Sequence, residues 1–277
     1  MTSPAAPRRD GETLDTFYRG RIRILQAKKG YRFSVDAPLL ADFVRTRPGD
    51  EALELGTGNG VISLLLSVKP FKKITAVEIQ AGPADLARRN VELNGLRGRI
   101  EVVRADLRTF EPGRTFDLIF SNPPYIRKAT GFLSSSAEKS AAKHELHGGI
   151  GEILKKTAGW LEPDGRACFV YPEKRRAELL GAAGDAGLAV RRLRFVHPRA
   201  VEPPNLFLIE LGRAARKNGD RGRPGARESI RKDEATKAGE SEEAGRTGDQ
   251  PELMPALVLF GPDGKYTAAA EAVFAGP

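Results

Sequence analysis

Four consecutive residues, Asn122, Pro123, Pro124 and Tyr125, combine hydrogen-bond acceptors, a rigid backbone and an aromatic face. An exocyclic amine on an aromatic ring is a poor nucleophile because its lone pair is delocalised into the ring. The Asn122 side-chain oxygen and the Pro123 carbonyl can accept hydrogen bonds from both N–H groups and draw the nitrogen towards tetrahedral geometry. The prolines fix these acceptors in advance, and Tyr125 offers a stacking face. The motif predicts group transfer to a planar nitrogen, with a merely proline-stiffened loop as the alternative.

A glycine-rich turn, ELGTGNG, separates a predicted strand from an apolar helix. A chain that reverses from strand to helix needs residues that tolerate unusual φ, and a ligand lying on that backbone excludes side chains. The third glycine follows after one residue rather than two, so the turn departs from the dinucleotide-binding fingerprint. It resembles the first motif of S-adenosylmethionine (AdoMet) methyltransferases. That resemblance assigns cofactor contacts to Glu54, Gly56, Thr57, Gly58, Asn59 and Gly60.

Acidic residues end the next two predicted strands. Glu78, followed by Ile79, stands where an acid can accept hydrogen bonds from both hydroxyls of a ribose. Asp106 is followed by Leu107; in AdoMet methyltransferases this position meets the adenine amino group, and its neighbour packs on the ring. A solvated or helix-capping carboxylate is the alternative for each acid. Three such features at successive strand ends favour AdoMet over NAD.

Alternating apolar segments would place these residues at strand ends. Predicted strands lie at 21–26, 51–55, 74–78, 100–106, 116–121, 167–171, 189–196 and 206–211, and predicted helices at 61–68, 85–94, 152–161 and 173–186. Such alternation implies parallel strands covered on both faces, and the last two strands imply an antiparallel hairpin at the edge. The predicted fold is α/β, a class I (Rossmann-like) methyltransferase with a seven-stranded, mostly parallel sheet.

Composition divides the chain into four segments. Residues 1–12 are polar and predicted to be disordered, and residues 13–211 form the methyltransferase domain. Residues 212–250 carry mixed charge and few large apolar side chains, so they are predicted to be a disordered insert. Residues 251–277 are predicted to return to the domain, with a strand at 257–260.

The formal net charge of +9 favours a polyanionic partner such as nucleic acid. One group of basic side chains precedes the first helix and is a candidate phosphate-binding patch: Arg19, Arg21, Arg23, Lys28 and Lys29. A second basic stretch, at 127–147, follows Tyr125 where a substrate-gripping loop would belong, although a plain surface loop is equally compatible.

Cys168 is the only cysteine, so an intrachain disulfide is excluded. The sequence lacks a secretory signal and an apolar run long enough to cross a membrane, and a cytoplasmic location is expected. His144 and His147 have H-x-x-H spacing without further ligands, so no metal site is predicted. A monomer is the default expectation.

Residues 13–211 and 255–274 resemble the bacterial tRNA1(Val) adenine-N6 methyltransferases. The resemblance is carried by GYRFSVD at 30–36, FVHP at 195–198 and DGKYT at 263–267, together with the two motifs above. In relatives, the segment at 33–36 lies over the cofactor, which implies a contact for Asp36, with a helix cap as the alternative. The resemblance also implies AdoMet as cofactor, with Asn122 touching it, and tRNA as substrate at the adenine beside the anticodon.

Asn-Pro-Pro-Tyr also resembles the motif of the HemK/PrmC class, which methylates a glutamine of translation release factors. Those proteins carry an N-terminal helical domain, and only about thirty residues precede Asp36 here. DNA adenine methyltransferases would need a target-recognition domain, for which the chain has no room. A non-catalytic RNA-binding module is a further alternative, against which the intact Asn122 argues.

Overall fold

The structure, a computed structural model, describes residues 8–28, 34–123, 149–215 and 250–277. Some of the predictions above therefore lie outside the described residues. They concern Pro124, Tyr125, the stretch at 127–147, Lys29 and most of the segment at 212–250.

Strands and helices alternate through most of the chain. β1 (Glu12–Phe17) and β2 (Ile22–Ala27) form a separate antiparallel hairpin. The strands of the central sheet are β3 (Glu51–Leu55), β4 (Lys73–Glu78), β5 (Ile100–Arg104), β6 (Phe116–Ser121), β7 (Leu161–Pro172), β8 (Leu188–Arg199), β9 (Leu206–Arg213), β10 (Glu252–Leu253) and β11 (Leu257–Phe260). The helices are α1 (Asp36–Phe43), α2 (Val61–Leu66), α3 (Ala81–Leu93), α4 (Ile150–Trp160), α5 (Arg176–Asp185) and α6 (Ala268–Ala275).

The strand order of the central sheet is β8-β9-β7-β6-β3-β4-β5, and β10 and β11 both pair with β8. Among the described strands of this sheet, only β9 runs antiparallel to its neighbours. The predicted α/β architecture, a mostly parallel sheet with an antiparallel hairpin, is confirmed. The prediction of seven strands is wrong, because nine strands of the described residues belong to this sheet and the β8–β9 hairpin is not its edge. β10 and β11 satisfy backbone groups that β8 would otherwise leave unpaired.

Helices cover both faces of the sheet, as parallel strands require. Along β3, Ala52 packs into the cluster that contains residues of α1 and α2, whereas Leu53 packs into the cluster that contains residues of α4 and α5. The apolar residues of β3 thus alternate between the two faces of the sheet. We call the edge at which the parallel strands end the carboxyl edge, and the opposite one the amino edge.

Asn90 of α3 is one of the residues that bind the β1–β2 hairpin. Asn90 accepts from the Leu25 N–H at 2.7 Å and donates to the Leu25 carbonyl at 3.0 Å. Its Nδ2 also donates to the Asn59 carbonyl at 2.9 Å, so the hairpin and the glycine turn share a support. Of the two strands, only β2 is predicted from the sequence. β1 is an additional strand, bound to α3 by the Glu12–Arg89 ion pair.

β7 begins at Leu161 rather than at 167 as predicted, so Pro163, Asp164 and Gly165, whose residue types favour a turn, lie inside the strand. Its pairing with β6 shifts register between Phe116 and Leu118, so the turn residues form an irregularity within the strand. A Cβ at Gly165 would lie only 2.9 Å from the Leu161 side chain. Glycine at this position allows the backbone to fold tightly against Leu161 while pairing resumes beyond it.

Lys69, which follows α2, fixes the C-terminal end of α1. Its Nζ donates to the carbonyls of Ala41, Asp42 and Val44 at 2.6, 3.0 and 2.8 Å, respectively. Burial lowers the pKa of this amine. Because α2 runs from the carboxyl edge back to the amino edge, this shared end makes α1 run in the same direction. The first turn of α1, with Asp36, therefore lies at the carboxyl edge.

Replacing Lys69 with Met should lower the free energy of unfolding by about 2 kcal/mol, since hydrogen bonds from a charged donor are lost and carbonyls at the end of α1 lose their partner. Urea denaturation measures the change. Lys72→Met is the matched control, because Lys72 is exposed and pairs with Glu51 at the surface; its effect should stay within about 0.5 kcal/mol. Equal effects of the two substitutions would contradict the role given to Lys69.

Candidate active site

The glycine turn is bound to the neighbouring strand by its own backbone. Gly56 and Thr57 both donate N–H to the Val77 carbonyl at 2.9 Å. Gly56, Gly58 and Gly60 have φ of 72°, 59° and 85°, which lie in the left-handed region that glycine tolerates best. A Cβ at Gly60 would lie 3.3 Å from the Cβ of Ala87 in α3. The turn is thus tightly packed on its inner side, with its backbone held at the carboxyl edge.

Glu54 lies beneath this turn and is completely buried. Its Oε2 accepts hydrogen bonds from the hydroxyls of Thr57, at 2.6 Å, and Ser63. Burial raises the pKa of the Glu54 carboxyl to about 7, against an ordinary value of 4.5. Through these hydrogen bonds, Glu54 connects β3 to the turn and to α2. The sequence alone indicated only a cofactor contact, because it does not reveal the depth at which the side chain lies.

The raised pKa of Glu54 predicts a pH dependence of stability. Between pH 4.5 and 7 the folded protein holds more protons at this site than the unfolded chain, so the site's contribution to the free energy of unfolding falls as pH rises. Glu54→Gln removes the titration. The stability of the variant relative to wild type should therefore improve from pH 5 to pH 7, by at most about 1.4 kcal/mol per pH unit, and level off above. Urea titrations across this range measure it; a difference independent of pH would contradict the burial effect.

Glu78 joins the turn to the end of β4. Its Oε2 accepts from the Gly58 N–H and its Oε1 from the Gln80 N–H, both at 2.9 Å. The side chain is buried, and Ile79 beside it is half-buried. Each carboxylate oxygen has a second lone pair. Glu78 can thus position the turn and still accept hydrogen bonds from a ligand.

Asp106 follows β5 and is held by Arg108. The Arg108 backbone N–H donates to Asp106 Oδ1 at 2.9 Å, and its guanidinium contacts both carboxylate oxygens at 2.5 to 3.1 Å. Leu107 is half-buried and lines a narrow cleft with Leu55 and Trp160. The sequence analysis missed Arg108, although its place two residues after the acid was a usable signal. Leu107 thus brings an apolar side chain next to the Asp106 carboxylate at the end of β5.

Asn122 and Pro123 follow β6 directly. Asn122 is half-buried and Pro123 is buried, while Ser121 before them donates to the Leu55 carbonyl at 2.7 Å. β6 lies beside β3, and the chain moves outward through β4 and β5 before it returns at β6. The ends of β3 and β6 therefore flank the topological switch point, where open α/β sheets bind ligands. The glycine turn and Asn122 lie at this point.

Two buried polar side chains at the turn have unpaired atoms. Both amide atoms of Asn59, and Oε1 of Glu54, have no hydrogen-bond partner among the described residues. Buried polar atoms are normally satisfied, so unpaired atoms beside a glycine turn suit a polar ligand. AdoMet carries an ammonium, a carboxylate, two ribose hydroxyls and an adenine amine. Along the carboxyl edge, the carboxylates of Glu78 and Asp106 can accept hydrogen bonds from hydroxyl and amine groups, and the Asn59 amide can both donate and accept.

Asp36 is the first residue of α1 and is buried. The helix-cap alternative is wrong, because the cap position belongs to Val35 and has no side-chain cap hydrogen bond. Asp36 lies at the carboxyl edge by the direction of α1. Its predicted cofactor contact stays a prediction, and the neighbouring residues 29–33 are outside the described part of the chain.

The described residues contain no group of three His, Cys, Asp or Glu side chains arranged to hold a metal ion. They also contain no helix whose length and apolar character would let it cross a membrane. In the candidate basic patch, the four described side chains are exposed: Arg19, Arg21, Arg23 and Lys28.

Comparison with known proteins gives consistent results. The chain is 29% identical over 195 residues to a protein of Tolumonas auensis named tRNA1(Val) (adenine(37)-N6)-methyltransferase, an alignment that covers 70% of this chain and 81% of that protein. A protein of the same name from a Flavobacteriaceae bacterium is 30% identical over 191 residues, covering 68% and 80%.

A solved structure shares the fold. It is described as a predicted O-methyltransferase from Agrobacterium tumefaciens and superimposes with a TM-score of 0.57 at 18% identity, covering 86% of this chain and 94% of that one. The model of the methyltransferase small domain family matches residues 32–180, more than half of the chain. The fold and family imply AdoMet as the methyl donor. The chain belongs to the methyltransferase small domain family and is an AdoMet-dependent methyltransferase.

Proposed function

We propose that the protein methylates the exocyclic N6 of adenine in tRNA, at the adenine beside the anticodon of a valine tRNA. The observation that carries this proposal is the position of Asn122 and Pro123, which follow β6 beside the glycine turn. The names of the relatives, which specify adenine 37 of tRNA1(Val), support this acceptor. The net charge of +9 suits a polyanionic substrate.

In this proposal, the cofactor lies across the ends of β3, β4 and β5. Glu78 accepts hydrogen bonds from the ribose hydroxyls, since among the described residues each of its carboxylate oxygens binds a single backbone N–H. Asp106 accepts from the adenine amine while Leu107 and Ile79 pack on the ring. The remaining contacts are assigned to Asp36, Glu54, Gly56, Thr57, Gly58, Asn59, Gly60 and Asn122.

When bound, AdoMet supplies a methyl group on a positively charged sulfur, and the carbon–sulfur bond breaks as the amine nitrogen takes the carbon. The Asn122 side-chain oxygen and the Pro123 carbonyl accept hydrogen bonds from the amine and free its lone pair. Tyr125 stacks on the base, and Pro124 limits the movement of the loop. The proton leaves the methylated nitrogen for solvent, because that nitrogen is acidic while it is positively charged. Most of the acceleration comes from positioning.

Transfer of labelled methyl groups tests this proposal. The purified protein is incubated with labelled AdoMet and, separately, with unmodified bulk tRNA or a translation release factor. Label in tRNA that digests to N6-methyladenosine is the expected result. Label in the release factor alone would overturn the proposed substrate. It would still agree with the proposed chemistry, because a glutamine amide also presents a planar NH2 group.

A further inference from the structure

A cavity of about 800 Å³ lies between the β1–β2 turn, the first turn of α1 and the segment around α6. Its volume is within the usual range for ligand pockets. It shares no lining residue with the glycine turn, Glu78, Asp106 or Asn122. Aromatic and aliphatic walls are provided by Phe17, Tyr18, Val35, Pro38, Tyr266 and Phe274.

The direction of the strands places this cavity on the same side of the molecule as Asn122. β8 and β7 are both antiparallel to β9, so they are parallel to each other, and β11 is parallel to β8. The loop that follows β11 therefore emerges at the carboxyl edge, and Tyr266 in that loop pairs with Phe260 at the end of the strand. The first turn of α1 lies at the same edge. A substrate bound near Asn122 can thus extend towards the cavity.

Aromatic rings dominate one wall of the cavity. Tyr266 stacks on Phe260 with ring centroids 4.9 Å apart and tilts against Phe274 at 4.7 Å. These neighbours fix the orientation of the Tyr266 ring, yet 39% of the residue remains exposed. A rigid, partly exposed aromatic ring at a cavity is a surface on which a planar group can stack.

The rim of the cavity presents a cation. Arg19 is exposed and lies in the turn that Gly20 N–H closes onto the Phe17 carbonyl at 3.1 Å. Tyr18 and Arg19 have φ of 53° and 56°, values that tight hairpin turns usually give to Asn or Gly. Tyr18 is buried against Gly276, where an added Cβ would lie 2.3 Å from its ring. This packing holds the turn and keeps Arg19 at the rim.

We propose that this cavity binds an unstacked base of the substrate RNA, distinct from the base that receives the methyl group, and that Arg19 contacts the adjoining phosphate. Sequence-specific RNA recognition targets loops whose bases can be splayed out and stacked on aromatic side chains. An aromatic wall beside a cation fits that chemistry, and Glu271 at the rim can accept hydrogen bonds from the amino group of a base. The inference rests on the proposed function.

Three variants and a control test the cavity. Arg19→Glu should weaken the binding of bulk tRNA by about tenfold at low salt and flatten its salt dependence, since a phosphate contact is lost. Tyr266→Ala should weaken binding by about tenfold, whereas Tyr266→Phe, which keeps the ring, should restore most of the affinity. Arg47→Glu makes the same charge change in an exposed residue before β3, at the amino edge, and should have little effect.

Filter binding gives the tRNA Kd, and methyl transfer gives KM and kcat for tRNA. Melting temperatures confirm that Tyr266→Ala remains folded, and the exposed Arg19 variant does not depend on that check. The inference predicts a higher KM with a nearly constant kcat and unchanged AdoMet affinity. If the wild-type protein methylates tRNA, and Arg19→Glu and Tyr266→Ala both bind tRNA as tightly as Arg47→Glu does, the cavity assignment is wrong while the proposed function stands. If wild type neither binds nor methylates tRNA, both fail.

Discussion

Asn122→Ala is expected to abolish detectable methyl transfer while AdoMet affinity stays within about threefold of wild type. The substitution removes the side-chain acceptor that is proposed to bind the amine most strongly as its nitrogen becomes tetrahedral. An interaction made mainly in the transition state affects kcat much more than ground-state binding. We expect a loss of about a thousandfold, at the upper end of the effect of removing a preorganised hydrogen-bonding group in other enzymes. Single-turnover transfer and calorimetric titration with AdoMet measure the two quantities.

Asn122→Asp is the informative companion to this variant, because it keeps an acceptor oxygen at the same position. It should retain far more activity than the alanine variant. Activity of Asn122→Ala near the wild-type level would remove Asn122 from the proposed chemistry. Equal, complete losses in both variants would indicate that the amide does more than accept a hydrogen bond.

Glu78→Ala is expected to weaken AdoMet binding by about a hundredfold or more. The carboxylate holds the Gly58 and Gln80 N–H groups and, in the proposal, two ribose hydroxyls. Hydrogen bonds to a charged group contribute roughly 1.5–3 kcal/mol each, so loss of two ligand contacts gives an effect of this size. Calorimetric titration with AdoMet measures the affinity.

Glu101→Ala is the matched control for Glu78→Ala. Glu101 lies on the neighbouring β5, is largely exposed and pairs with Lys73. Its removal should leave AdoMet affinity unchanged, because surface ion pairs contribute little. If Glu78→Ala bound AdoMet as tightly as Glu101→Ala does, the ribose contact would be excluded.

Elements whose signal lies in a few neighbouring residues could be predicted from the sequence. The boundaries of β6 and β11 agree with the sequence prediction, since FDLIFS and LVLF are compact, largely apolar runs that Asn122 and Gly261, respectively, bring to an end. The glycine turn was recognisable because left-handed φ at its glycines restricts which residues fit. In each case, the signal lies within a few neighbouring residues.

Features that depend on distant contacts were not predictable. β1 has the sequence ETLDTF, in which acidic residues mask the strand pattern, and its Glu12 is held by Arg89, which lies far along the chain. The cavity beside Tyr266 joins residues from both ends of the sequence. Glu54 shows the same limit within the site, because its raised pKa follows from burial rather than from its neighbours in sequence.

The most direct test of the proposed function uses a transcript of valine tRNA and a second transcript with guanine in place of adenine 37. Each is incubated with the protein and AdoMet, digested to nucleosides and analysed by mass spectrometry. The account predicts about one N6-methyladenosine per molecule of the first transcript and none in the second. Equal methylation of the two transcripts would contradict the assigned position. The absence of N6-methyladenosine from both, with an active protein that methylates a release factor, would contradict the proposed substrate altogether.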